Sequence, residues 1–141
     1  MDNTKHVPRG IRNNNPLNIR KGNNWIGERP SQTDKAFEEF TSMTYGIRAG
    51  FIIIRKYMSG YNGLTRKFNT IEQIIRRWAP PTENATQRYI DQVAKETGIS
   101  PRLKLSFSDK KSMCAIVSAM IHVECGQLID METIESGYDL V

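Results

Sequence analysis

Apolar side chains recur along this chain at helical spacing, in stretches separated by polar breaks rich in Asn, Gly and Pro. Ile47, Phe51, Ile54 and Met58 keep the spacing of one helix face, and Thr41 or Ser42 can cap a helix that runs to about Met58. Gly60-Tyr61-Asn62-Gly63 then stops it. Ile71, Ile74, Ile75 and Trp78 form the apolar face of a second helix over residues 70–78. Asn69, with Glu72 three residues on, reads as its capping box, and Pro80-Pro81 as its terminator. Asn84 followed by Gln87 opens a helix to about Thr97, with Gly98 as its C-cap. Ser108 or Asp109 opens the helix that carries the mostly apolar run 113–125, and a short last helix over about 131–136 ends at Gly137.

The start of the chain is different. Residues 9–27, RGIRNNNPLNIRKGNNWIG, hold Asn13, Asn14, Asn15, Asn18, Asn23 and Asn24. Asn competes for backbone hydrogen bonds and favours turns, so this segment is expected to be irregular, and residues 36–40 are a short extended candidate. The expectation is a mainly α (α+β) single domain over residues 9–141, with a small irregular/β region near its N-terminus and a flexible stretch at 1–8.

Composition narrows the function classes. At 141 residues, 38% hydrophobic and 25% charged, the chain suits one ordinary domain with a real core. No apolar run is long enough to span a bilayer, so no membrane partner is expected. The polar opening residues do not read as a signal peptide, which implies synthesis in the cytoplasm and delivery by another system if the protein works outside it. Cys114 and Cys125 lie about three helical turns apart and cannot pair within one helix, so both read as reduced. His6 and His122 lack metal-ligand spacing, and neither a metal nor another cofactor is expected. Gly-rich phosphate loops and a Gly-x-Ser-x-Gly elbow are absent. The net charge of +5 fits a polyanionic partner, either nucleic acid or an acidic cell-wall polymer.

Glu124 stands out against this background. It is the acidic residue in the run 113–125, two positions before Gly126, and it shares a helix face with Met113, Val117 and Met120. Apolar surroundings and the negative end of a helix both raise a carboxyl pKa, which suits a general acid. The plainer reading is a helix-end Glu turned toward water. A glycosidase needs such an acid, a second carboxylate or a positioned nucleophile, and a polar groove with aromatic platforms. Glu28, Asp34, Glu38 and Glu39 lie in or beside the irregular region, the Asn amides suit hydroxyl and acetamido groups, and Trp25, Tyr45 and Tyr89 are candidate platforms. Trp25 and Trp78 also read as core.

Asn15-Pro16-Leu17-Asn18-Ile19-Arg20, then Trp25-x-Gly27, Phe37-x-x-Phe40 and Tyr45-Gly46-Ile47-Arg48, resemble a phage-associated family of virion lysis proteins. More distantly, they are similar to the glucosaminidase-type peptidoglycan hydrolases of the lysozyme-like superfamily, whose later Tyr-Ala-Thr…Tyr stretch is matched loosely by Trp78-Ala79-Pro80…Thr86…Tyr89. In that superfamily the catalytic Glu ends a helix that precedes the Asn-rich segment. Here a comparable helix end, Ile121-His122-Val123-Glu124-Cys125-Gly126, comes late in the chain. The resemblance therefore implies a circularly permuted lysozyme-like domain in which Glu124 sits beside residues 14–18 in space.

The leading expectation is thus a monomeric peptidoglycan-cleaving glycosidase, a muramidase, glucosaminidase or lytic transglycosylase acting on glycan strands. Glu124 would be the acid, Glu28 or Glu39 the second carboxylate of a hydrolase, and Asn14, Asn15, Asn18, Arg20, Trp25, Tyr45 and Tyr89 the substrate contacts. Two alternatives stand beside it. One is a virion structural protein without activity. The other is a nucleic-acid module in which residues 70–78 and 84–97 form a helix-turn-helix carrying Arg76, Arg77 and Arg88; Asp91 and Glu96 on its second helix count against it.

Overall fold

The computed structural model describes residues 7–60, 67–79 and 82–141. The expectations for residues 1–6, for Tyr61-Asn62-Gly63 as a helix stop and for Pro80-Pro81 as a terminator lie outside the described residues. The chain is mainly helical: α1 (Arg9–Arg12), α2 (Met43–Ser59), α3 (Ile71–Trp78), α4 (Glu83–Thr97), α5 (Lys110–Cys125) and α6 (Met131–Asp139).

Capping chemistry explains most of the boundaries. Ser42 caps α2 by accepting from the Tyr45 amide, while Thr41 bonds instead to the Gly27 carbonyl, and Gly60 closes the helix in the left-handed region at φ 74°. The α3 cap differs from the expected one: Thr70, not Asn69, accepts from the Gln73 amide at 3.1 Å, and Gln73 Oε1 accepts from the Asn69 amide at 3.0 Å. Thr70 is thus the cap, and Gln73 reaches back past it to the amide of the preceding residue, a variant of the capping box shifted by one position. In α4 the helix already includes Asn84, and Thr82 holds the N-cap position. Asp109 caps α5 and Asp130 caps α6 through the amides of Ser112 and Thr133. The short α1 was not expected from the sequence; it starts at Pro8, whose carbonyl accepts from the Ile11 and Arg12 amides.

Helix α6 does not end at Gly137 as expected, but continues to Asp139. Gly137 serves packing instead: a Cβ there would stand 2.7 Å from Ile47 Cγ2, so the missing side chain lets α6 lie directly on α2. At that contact Phe51 meets the Tyr138 ring edge-on at 5.4 Å, and Tyr138 stacks on Phe107 at 5.3 Å. Helix α5 is buried over most of its circumference, with Met113, Cys114, Ile116, Val117, Ala119, Met120 and Ile121 in the core, and both α4 and α6 pack on it. Among the described residues no helix is long and apolar enough to cross a membrane. Cys114 and Cys125 are both free thiols.

The extended candidate at 36–40 forms two isolated antiparallel bridges, Arg20 with Phe37 and Glu28 with Phe40, rather than a regular strand. A side-chain amide takes the place of ladder partners: buried Asn15 donates to the carbonyls of Ile19 and Glu38 and accepts from the Ile19 amide, each at 2.9–3.0 Å. This N-terminal layer is seated on α2. A Cβ at Gly46 would overlap the Asn14 carbonyl oxygen, and one at Gly50 would overlap the Leu17 side chain. Gly46→Ala is therefore expected to cost about 1–3 kcal/mol, as overpacking against rigid backbone does. A lowered urea midpoint is the expected reading, and an unchanged midpoint would show that the layer does not depend on this close approach.

Candidate functional site

The Asn-rich segment carries its donors at fixed angles. Asn14 and Asn18 adopt left-handed backbone conformations, with φ 52° and 54°. Asn tolerates that region better than most L-residues, and each such residue reverses the chain locally. The reversal at Asn14 turns its amide to the Phe40 carbonyl, 3.1 Å away. The reversal at Asn18 sends its amide to the far end of α5, where Nδ2 lies 3.1 Å from Glu124 Oε1 and 3.2 Å from the Glu124 carbonyl oxygen. The juxtaposition of Glu124 with residues 14–18 is thus present, made by Asn18 across 106 positions of sequence.

Glu124 is held from two sides. Tyr89, buried in α4, donates its hydroxyl to Oε2 at 3.1 Å, opposite the Asn18 contact on Oε1. Burial raises the carboxyl pKa above its ordinary value, and the hydrogen bonds from Asn18, Tyr89 and Trp78 offset part of that rise. The same burial, with Glu124 adjacent, lifts the Tyr89 phenol well above its usual pKa, so it remains a donor. The result is a carboxyl group that holds its proton more tightly than an exposed one, with a donor fixed on each oxygen.

Two cavities of about 400 and 410 Å3 meet at this carboxyl. One is walled by Ala79, Arg88, Tyr89 and Gln92, the other by Leu17, Asn18, Arg20, Phe37 and Trp78, and Glu124 borders both. A third, of about 270 Å3, shares Asn18, Arg20 and Trp78 with the second and extends past Asn23 and Tyr57. Together they make one open groove with the acid in its floor. The groove is open to solvent and mixes polar with apolar walls, unlike an enclosed small-molecule pocket.

The other expected site residues divide. Arg20 and Tyr89 join Asn18 and Glu124 at the groove. Asn14 and Asn15 serve the backbone of the N-terminal layer. Trp25 packs against the core and its buried Nε1 has no hydrogen-bond partner among the described residues, while Tyr45 lies against Gly27. Glu39 is almost fully buried; its oxygens accept from the Thr33 and Asp34 amides, the Thr33 hydroxyl and Arg29, which hold its pKa down against burial. It fastens the loop at 29–39. Asp34 does similar work, kept ionised far below the usual range by Arg9 at 2.5 Å and by Asn13. Glu28 accepts from the Trp25 amide at 3.1 Å and neighbours buried Glu38, whose pKa is raised to about 7 by burial first and by Glu28 second.

Trp78, Asn23 and Gln92 line the groove and were not among the expected site residues. Trp78 reads as core from its place on an apolar helix face. The signal that separates it is position: it is the last residue of α3, where a large ring overhangs the helix end and meets the Tyr57 ring edge-on at 6.3 Å. The arginines of the helix-turn-helix alternative are spent differently from one another. Arg76 bonds to Gln87 and pairs with Glu72, Arg77 lies over the Tyr57 and Phe68 rings, and Arg88 lines the groove. Among the described residues no group of three or more His, Cys, Asp or Glu side chains is placed to hold a metal ion.

The chain is 45% identical over 122 residues to Protein P5 of Pseudoalteromonas phage PM2, covering 84% of this chain and 71% of that protein. No protein-family model matches it.

The raised pKa of Glu124 has a sign that melting curves can read. Because the folded state holds this proton more tightly, the group's contribution is fully favourable below the ordinary carboxyl pKa of about 4.3. It is lost as pH rises through the higher folded value. Glu124→Gln removes the charge while Tyr89 can turn its hydroxyl to accept. The variant is expected to melt above the native protein at pH 8, with the gap closing toward pH 4. A variant that melts lower at pH 8 would show that the ionised form is well solvated.

Proposed function

We propose that this chain, which belongs to the family of Protein P5 of Pseudoalteromonas phage PM2, cleaves the glycan strands of peptidoglycan with Glu124 as general acid. The observation that supports the reading is the placement of one carboxyl of raised pKa where two cavities meet, oriented by Asn18 and Tyr89. The reading includes a lysozyme-like fold in permuted order, supported by the contact between a late helix end and an early Asn-rich segment.

The chemistry follows from what lines the groove. Among the described residues, Glu124 is the one carboxylate on its walls, whereas Glu39 is committed to a loop and Glu28 to Glu38 and Trp25. A two-carboxylate hydrolase is therefore less well supported than a single-residue route. Protonated Glu124 gives its proton to the glycosidic oxygen as the C1–O bond breaks and the electron pair leaves with that oxygen. The resulting carboxylate then takes the proton of the sugar's own C6 hydroxyl while that oxygen bonds to C1, closing an anhydro ring. Acid and base are the same group, and it ends the cycle protonated. Asn18 keeps the donor on Oε1 through both steps, which holds the carboxyl plane while charge appears and disappears. Tyr89 does the same on Oε2. In a phage family, delivery to the wall would come with the particle.

Purified wild-type protein is expected to clear a peptidoglycan zymogram, and Glu124→Gln to lose about 10²–10⁴-fold of that activity while remaining folded. Mass spectrometry of the digest should find anhydro ends. Reducing ends in their place would assign a hydrolase, and full activity in Glu124→Gln would remove Glu124 from the mechanism.

A further inference from the structure

The groove has a cation on each side of the acid. Arg88, on α4, lines the cavity on one side of Glu124, and Arg20 lines the cavity on the other and its extension toward Asn23. Both side chains are exposed, and among the described residues neither is paired with a carboxylate. Four arginines elsewhere do have such partners: Arg9 pairs with Asp34, Arg29 with Glu39, and Arg76 and Arg102 with Glu72. Arg20 is also oriented, since its guanidinium lies 4.8 Å from the centroid of the Phe37 ring, a second lining residue. A stacked guanidinium keeps its edge donors free for a planar anion.

A neutral amino-sugar polymer offers two guanidiniums hydrogen-bond acceptors but no opposite charge. Peptidoglycan offers that charge, because alternate sugars carry a lactyl ether, and from it a peptide, that bring carboxylates to the side of the strand. We propose that Arg20 and Arg88 bind carboxylates of the muramoyl substituents on both sides of the scissile bond, so that the groove selects anionic, muramoyl-bearing strands over neutral glycan. This rests on the peptidoglycan reading of the groove and adds the groups by which the strand is recognised. A guanidinium takes a carboxylate with two parallel hydrogen bonds, which fixes position along the strand as well as affinity. Asn23 and Gln92, one toward each end of the groove, remain for neutral amide and hydroxyl groups.

The test measures binding apart from cleavage. Glu124→Gln protein is incubated with insoluble peptidoglycan sacculi and, separately, with chitin, a neutral polymer of N-acetylglucosamine, at two salt concentrations. Retention on sacculi is expected to exceed retention on chitin and to fall with salt, as charge pairing does. Adding Arg20→Gln or Arg88→Gln should weaken retention on sacculi by about five- to tenfold each, the scale of one partly solvated ion pair in a groove, and leave chitin unchanged. Lys104→Gln, an exposed cation not on the groove walls, controls for net charge. Equal retention on the two polymers overturns the proposal, as does retention on sacculi that ignores both arginine variants. Arg88→Gln, on a regular helix, carries the test by itself if Arg20→Gln folds poorly. Cleavage by the wild type distinguishes the two layers. A chain that cuts neither polymer but binds in this pattern loses its enzymatic role and keeps its carboxylate sites. A chain that cuts both polymers equally, and is indifferent to both arginine changes, keeps the activity and loses those sites.

Discussion

The close approach of an irregular segment to α2 is the constraint on which the rest of the site depends. Residues 13–18 have no sheet and almost no helix to satisfy their backbone, so they need a partner surface that leaves no gap. Gly46 and Gly50, one helical turn apart, provide it by removing side chains where the Asn14 carbonyl and Leu17 arrive. With the segment pressed onto the helix, Asn15 can sink to full burial and serve three backbone groups. Asn14 and Asn18 then take the left-handed turns that send one amide to the Phe40 carbonyl and the other to Glu124. If the segment were displaced from the helix by one methyl group, every one of those directions would change with it.

The charge distribution is organised around the same layer. Asp34 and Glu39 are ionised because arginines and loop amides surround them, and they hold the loop that backs the Asn-rich segment. Glu124 receives donors as well, but from neutral groups in a partly buried place, and there burial outweighs hydrogen bonding. Three carboxyl groups of one small domain are thus pushed in opposite directions by the same few factors. What differs is whether a cation and several backbone amides are within reach.

The sequence carried the long helices well and the local details less well. Helices α2 to α6 are legible because hydrophobic spacing and capping residues agree over many positions. The disagreements are local: one residue at the α3 cap, where Thr70-Gln73 competes with Asn69-Glu72, and Gly137, where a residue that resembles a terminator instead relieves a helix crossing. Glu124 was legible because a carboxyl on an apolar stripe demands a reason. The division of labour among the asparagines was not, because one residue type can brace a backbone or face a groove. Backbone angle does not decide it either: Asn14 and Asn18 share a left-handed conformation, and what differs is the acceptor the fold sets before each, the Phe40 carbonyl or Glu124. Glu28 and Glu39 illustrate the same limit: both sit in the right segment, and it is the loop wrapped around each that gives it other work. Trp78 was hidden by its good fit to an apolar face, since nothing in spacing says that the face ends there.

The contact between Asn18 and Glu124 spans 106 residues. Such a closure is slow in folding, because the chain between must be ordered before the contact is stabilised. During synthesis the two halves of the groove emerge at different times. The Asn-rich segment and its helix leave the ribosome early, and the carboxyl arrives only when α5 has been made. The pair cannot exist on a growing or truncated chain that lacks α5. Its assembly therefore needs α5 in place, and any competence that resides in this groove is withheld until that late helix has docked.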